Sequence, residues 1–355
     1  MARFTKVGLT SRALAVVAAA ALVVTVASAD AAVKIEVVID YDPAANELPE
    51  GLAIDKRGNV YLSLAPLGEI RKIGRDGSES TLATIPLPPD TFPGVLGLAV
   101  DGRGNVYAAV STADPAVTGV YKIKRDGSFS RLPGTEAIGF PNGVALDKRG
   151  NVYVTDTAFG GVWRIPRRGG PAELWFQSPL LEGDGSAGFG LFIGANGIAF
   201  RRNALVVGNS EGARLLHIPI NRDGTAGTAT VLAEDPALYG ADGIEFDEDG
   251  NVWVAVIFQS TIVRVSRSGD IDTIATAADG LDFPSSVAFG KKGEVWAVNF
   301  AIGPPGGPGP ALLRLAAADD EREDEGGDED SEDDEGEGRG RGNNGREGSR
   351  GREDD

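Results

Sequence analysis

Glu50-Gly51-Leu52-Ala53-Ile54-Asp55-Lys56-Arg57-Gly58-Asn59-Val60-Tyr61 returns, barely altered, as Leu96-Gly97-Leu98-Ala99-Val100-Asp101-Gly102-Arg103-Gly104-Asn105-Val106-Tyr107 and as Asn142-Gly143-Val144-Ala145-Leu146-Asp147-Lys148-Arg149-Gly150-Asn151-Val152-Tyr153. Looser copies open at Asn196-Gly197, Asp242-Gly243 and Ser285-Ser286. The second residues of these units stand at 51, 97, 143, 197, 243 and 286. The unit therefore recurs six times at a spacing of about 45 residues, the arithmetic of a propeller blade.

Within a unit, a short β-branched run meets a polar Asp-x-x-Gly-Asn turn and a second run such as Val60-Tyr61-Leu62-Ser63. A third run follows, Glu69 to Ile73 or Val162 to Ile165, then an Arg-Asp-Gly or Arg-Ser-Gly turn and a fourth. The predicted fold is all-β: a six-bladed propeller of four-stranded antiparallel blades. The sixth unit runs out after Ala311-Leu312-Leu313-Arg314-Leu315, one strand short. Val33 to Ile39 has no unit of its own, so it is predicted to complete blade six and remove the open edge.

Composition bounds the chemistry. The chain has 355 residues, net charge -18, one His and no Cys. Thiol nucleophiles, disulfides and Cys-ligated zinc or iron-sulfur sites are excluded. The charge is uneven: 18 acidic and 6 Arg side chains from Asp319 to Asp355 leave that segment at -12. Residues 317–355, Gly-rich and without aromatics, read as a disordered acidic tail. Residues 1–29 carry Arg3, Lys6 and Arg12, an apolar run from Ala13 to Ala27, and Ala27-Ser28-Ala29. That is a signal-peptide pattern, leaving a propeller over 30–316 that is secreted or periplasmic, with no membrane insertion after signal cleavage. The mildly acidic remainder offers no footprint for nucleic acid.

The innermost strand of each blade lines the central channel, so the six opening residues face one another at one mouth: Glu50, Leu96, Asn142, Asn196, Asp242 and Ser285. Two carboxylates and two amides suit one divalent metal ion, Ca²⁺ first, with Mg²⁺, Mn²⁺ or Zn²⁺ as alternatives. Turn formation explains any one of these Asx-Gly and Glu-Gly pairs equally well. It does not explain why both acids and both amides fall at one register.

These repeats resemble the six-bladed propellers of the senescence marker protein, gluconolactonase and luciferin-regenerating enzyme family, relatives of paraoxonase, over about Val33 to Leu315. The resemblance implies metal ligands at a Glu opening blade one, an Asn opening blade four and an Asp opening blade five, with an Asn opening blade three in paraoxonase-like members. Those positions are Glu50, Asn196, Asp242 and Asn142 here. The resemblance also implies that Asp242 activates water. The family's Glu-Gly-Pro-x-Trp opening is Glu50-Gly51-Leu52-Ala53-Ile54 here, nearer to the NHL-repeat pattern.

The chemistry expected is metal-assisted hydrolysis of a small-molecule lactone or related ester, with a carboxylate base. His217, the single His, holds the place of Lys72, Arg164 and Arg264 in other third strands and is expected to point outward. Second strands return to the same mouth, which makes Asp156, Asn209 and Asn299 candidates for substrate or supporting contacts, or simply strand-end turn residues. An insertion between units three and four, Ser178 to Gly194, carries Phe189, Leu191 and Phe192 among glycines, either as an apolar lid or as a packed surface loop. The alternatives are a noncatalytic NHL-like module that binds protein or glycan, and a strictosidine-synthase-like enzyme.

Overall fold

Each Asp-x-x-Gly-Asn turn is a small hydrogen-bonded knot. Asp55 accepts the Arg57 and Asn59 amides at 2.8 and 2.9 Å and the Asn59 side chain at 2.7 Å, while Gly58 supplies a φ of 86°. Asp101-Asn105, Asp147-Asn151 and Asp247-Asn251 repeat the knot. The motif thus fixes a hairpin between first and second strands. Hydrogen bonds to the charged form overcome partial burial and hold the Asp55, Asp101 and Asp247 carboxyls below their ordinary range.

In the computed structural model, which describes residues 33–304 and 306–317, these hairpins build six four-stranded antiparallel sheets. The inner strands are Pro49–Ile54, Gly94–Val100, Pro141–Leu146, Ala195–Arg201, Ala241–Phe246 and Pro284–Phe289. Second strands are buried almost throughout and fourth strands are largely exposed, as expected when wedge-shaped blades pack face to face around an axis. Between blades one and two, for example, Ile70, Ile85, Val95, Val106 and Ile123 form one core.

The ring closes as expected. Val33–Asp40 pairs antiparallel with Ala311–Ala317, from Val33 opposite Ala317 to Asp40 opposite Ala311, so blade six takes its outer strand from the start of the chain. The last strand runs through Ala317. The signal-peptide and acidic-tail expectations lie outside the described residues.

At the axis the blades meet backbone to backbone. A Cβ on Gly97 would lie 2.6 Å from the Asn142 carbonyl oxygen, and one on Gly243 would lie 2.6 Å from that of Ser285. Gly51, Gly143 and Gly197 face the next blade's opening carbonyl in the same way. The repeated glycine is there for this approach, and not for a turn. Hydroxyls sew the contact: Ser63 accepts the Gly51 amide at 2.7 Å and donates to the Leu96 carbonyl at 3.0 Å. Thr155 accepts from Gly143 at 2.8 Å and donates to Asn196 at 2.6 Å, and Ser285 donates to the Glu50 carbonyl at 2.9 Å, joining blade six to blade one.

Gly97→Ala should therefore lower stability by about 2 kcal/mol or more, because the neighbour it strikes is backbone and cannot rotate away. Gly102→Ala, whose Cβ would meet nothing closer than the Lys56 ammonium at 4.0 Å, should leave the melting temperature within error of the parent. Paired thermal melts check this.

Candidate functional site

The inner-strand openings sit beside the ends of the second strands: Pro49 pairs with Leu64, Pro141 with Asp156, Ala195 with Asn209, Ala241 with Val256 and Pro284 with Asn299. One mouth of the channel therefore carries both sets. Glu50, Asn142, Asn196 and Asp242 are 5, 7, 5 and 6 % exposed, so four hydrophilic side chains are held almost out of water.

Their hydrogen bonding is incomplete. Glu50 Oε2 and Asn196 Oδ1 are buried without a partner, two of three such side-chain atoms among the described residues. Asn196 spends its Nδ2 on Ser210 Oγ at 3.0 Å, which turns its carbonyl oxygen free. Burial raises the Glu50 carboxyl well above its ordinary range, and the neighbouring Asp242 charge raises it further. Burial likewise lifts Asp242 to about 8, against a hydrogen bond from the Asn196 side chain that pulls it down. Two buried carboxylates side by side beside a free amide oxygen form an acceptor-only set that could hold a hard divalent cation. Among the described residues no group of three or more His, Cys, Asp or Glu is placed to hold a metal ion, so two carboxylates here would need neutral oxygens, from amides, water or substrate, to complete a shell.

Asp156, Asn209 and Asn299 reach the same end of the blades, but their polar atoms are committed to loop backbone. Asp156 accepts the Gly139 and Phe140 amides at 3.0 Å and the Trp163 indole at 3.1 Å. Asn209 donates to the Leu180 and Glu182 carbonyls and accepts from Gly212, all at 2.9 Å. Asn299 accepts from Asp282 and donates to Gly280, both at 3.0 Å. Each braces the loop entering an inner strand. His217 lies half-buried in the third strand of blade four, Arg214–Pro219, between Val206 and Thr230.

Glu211 is the residue that sequence reasoning passed over. Nearly buried, it accepts four backbone amides: Asp184 and Gly185 at 2.7 Å, Ile193 at 3.1 Å and Ala187 at 3.0 Å. One carboxylate thus gathers the whole insertion. The sequence held a clue, since a glycine-rich loop without secondary structure must send its amides somewhere. The loop holds Phe189 and Phe192 exposed, with Phe189 stacked on Phe258 at 5.6 Å and Tyr239 against the same ring at 5.6 Å. Phe92, stacked on Phe300, and Phe159 stand exposed on other loops at the same end.

Residues 190–295 match the family model of the SMP-30/Gluconolactonase/LRE-like region. The chain carries an SMP-30/gluconolactonase/LRE-like region. The matched stretch contains Asn196, Glu211 and Asp242 and bears out the resemblance there, while Glu50 and Asn142 lie outside it. No curated protein matches the chain by sequence. Among solved structures, the gluconolactonase XC5397 from Xanthomonas campestris is 18% identical over 79% of this chain and 88% of that one, with a TM-score of 0.59. A streptogramin B lyase is 17% identical over 81% and 99%, TM-score 0.58, and a luciferin-regenerating enzyme 15% identical over 80% and 95%, TM-score 0.58. At these identities the likeness is one of fold.

Glu211→Ala strips four amides of their shared acceptor, and a hydrogen bond to a charged group contributes about 1.5–3 kcal/mol. Limited proteolysis should then cut within residues 183–194 while the blades stay intact. Equal resistance of parent and variant would show that the loop is held by its aromatic contacts alone.

Proposed function

We propose that the protein is a divalent-metal-dependent hydrolase of lactones or related esters, acting at the mouth formed by Glu50, Asn142, Asn196 and Asp242. The observation that carries this reading is the pair of orphaned acceptor oxygens, Glu50 Oε2 and Asn196 Oδ1, beside a second buried carboxylate. A bound Ca²⁺, or Mg²⁺, Mn²⁺ or Zn²⁺, would polarise the substrate carbonyl. The SMP-30/gluconolactonase/LRE-like match and the gluconolactonase fold neighbours support the same reaction class.

The chain's own residues divide the work. Glu50 and Asp242 supply the negative charge of the ligand set, and Asn142 and Asn196 supply neutral oxygens that leave room for substrate. Burial alone favours the protonated form of Asp242, and a cation held beside it would favour the carboxylate, which would then accept the proton of the attacking water. At the same end of the blades the exposed rings of Phe189 and Phe192, with Phe258 against Phe189 and Tyr239 against Phe258, would offer an apolar wall to a bound substrate. That wall favours a substrate with an apolar portion over a bare sugar lactone. An inactive variant of virginiamycin B lyase from Staphylococcus aureus carries a His-to-Ala change. The lone His217 here is on a third strand, so lyase chemistry finds no support at this mouth. Export to the periplasm or medium, from the N-terminal pattern, completes the proposal.

Two outcomes test it. Asp242→Asn keeps an oxygen but removes one charge and the base. Calorimetric Ca²⁺ affinity should fall about tenfold, and lactone turnover by at least a hundredfold. Wild-type turnover by this variant, or a parent that binds no divalent ion, overturns the hydrolase and leaves a noncatalytic binding propeller.

The second outcome is a stability profile in chelator. Asp242 titrates near 8 when folded and near the ordinary ~3.9 when unfolded. The unfolded chain therefore releases this proton first, so the contribution of Asp242 to stability is full below about pH 4 and drains away as pH rises toward 8. Asp242→Asn escapes this share of the loss, and it also removes the charge that raises Glu50 beyond the effect of burial. Its melting temperature should match the parent's at pH 5, where only the first part of the window has been crossed, to within a few degrees, and exceed it by a widening margin up to pH 8. Added Ca²⁺ should close the gap by stabilising the parent.

A further inference from the structure

The face opposite the mouth collects positive charge that the net charge of the chain conceals. A groove of about 600 Å³ between blades two and three is lined by Lys56, Arg103, Lys122, Lys148, Arg149 and Arg167, against only Asp101 and Asp147. All of these cations are exposed except Lys122, which is half-buried over the Tyr107 ring at 5.3 Å. Both carboxylates are occupied: Asp101 takes the Arg103 and Asn105 amides at 2.9 Å, and Asp147 takes those of Arg149 and Asn151 at 2.8 Å. None of the six cations forms an ion pair among the described residues, whereas the third-strand arginines Arg71, Arg164, Arg264 and Arg314 all do.

The fold does not demand cations here. In blade five the same turn carries Glu248 and Asp249 in place of Lys148 and Arg149, and it closes with the same Asp247-Asn251 knot. The basic groove is therefore a feature laid onto three blades. Its floor, Leu132, Pro133, Leu146 and Val152, is apolar, and its volume is that of a small-molecule site.

We propose that this groove binds a small ligand bearing several adjacent phosphate groups. Six cations less two carboxylates leave four unbalanced positive charges in one groove. A run of phosphates is the compact way to answer that density, since each brings more than one charge and several acceptor oxygens. Separate carboxylates would each need a carbon spacer. The guanidinium forks of Arg103, Arg149 and Arg167 match phosphate oxygens two at a time, and Lys56 and Lys148 add point charges at either side. The site lies at the far end of the inner strands from Glu50 and Asp242, so it is independent of the chemistry at the mouth.

Calorimetric titration of the full chain with inorganic tripolyphosphate tests the site. Saturable one-to-one binding at 50 mM salt is expected, weakened at least tenfold at 200 mM because the charges are exposed. Orthophosphate should bind at least a hundredfold more weakly. Arg103→Gln with Arg149→Gln should lose at least tenfold in affinity with an unchanged melting temperature, while Arg202→Gln, outside the groove, should bind as the parent does. Equal affinity for orthophosphate and tripolyphosphate, undiminished binding by the double variant, or no binding at 50 mM salt overturns the proposal. Vesicles carrying a multiply phosphorylated inositol headgroup distinguish the source. Retention on vesicles that free tripolyphosphate displaces assigns the groove to phosphate wherever presented. Retention that it does not displace overturns a small-molecule site in favour of a membrane surface.

Discussion

Five backbone carbonyls, each pressed against the glycine of the preceding blade, and a sixth, that of Glu50, taken by the Ser285 hydroxyl, set the geometry of everything around the axis. With Ser63, Thr155 and Ser285 donating across the seams, the inner strands approach closely enough that their opening side chains share one small space. A wider axis would leave Glu50 and Asp242 in water with ordinary acidities. The tight one buries both and raises both. The electrostatics of the mouth are thus a consequence of backbone packing that involves no catalytic side chain.

That packing gives the two ends of the channel opposite characters. At the mouth, acidic and amide oxygens are buried and aromatic rings stand out on loops. At the other end, the Asp-x-x-Gly-Asn knots consume their own carboxylates and leave lysines and arginines unopposed on blades one to three. One repeated twelve-residue unit produces both ends, because its first residue lies at one face and its turn at the other.

The fold was legible because a propeller writes its architecture into a repeat, and the closing strand was legible because the count of strands came out one short. The ring of openings followed from register alone. What could not be read was where committed hydrogen bonds go. Asp156, Asn209 and Asn299 are polar, strand-terminal and adjacent to the mouth, which suits either a contact with substrate or a brace for a loop. Only the positions of the Gly139, Leu180 and Asp282 backbone groups show the bracing. Glu211 was hidden for the complementary reason: its partners are amides of an insertion, and amides carry no sequence signature. In sequence the glycine of the unit reads as turn chemistry, whereas its role is close approach to a neighbouring blade some 45 residues away.

The pairing of Val33–Asp40 with Ala311–Ala317 makes the ring of blades a hoop with a clasp, and the two halves of the clasp are the first and last strands of the described residues. Until the ribosome has delivered Ala317, the strand made earliest has no partner, and blade six shows a bare hydrogen-bonding edge. Such a long-range closure is slow, because loop entropy must be overcome before the pairing yields anything. Until that pairing forms, the ring stays open at blade six. Any cellular step that requires it unfolded, or any partner that captures exposed strand edges, has that interval in which to act.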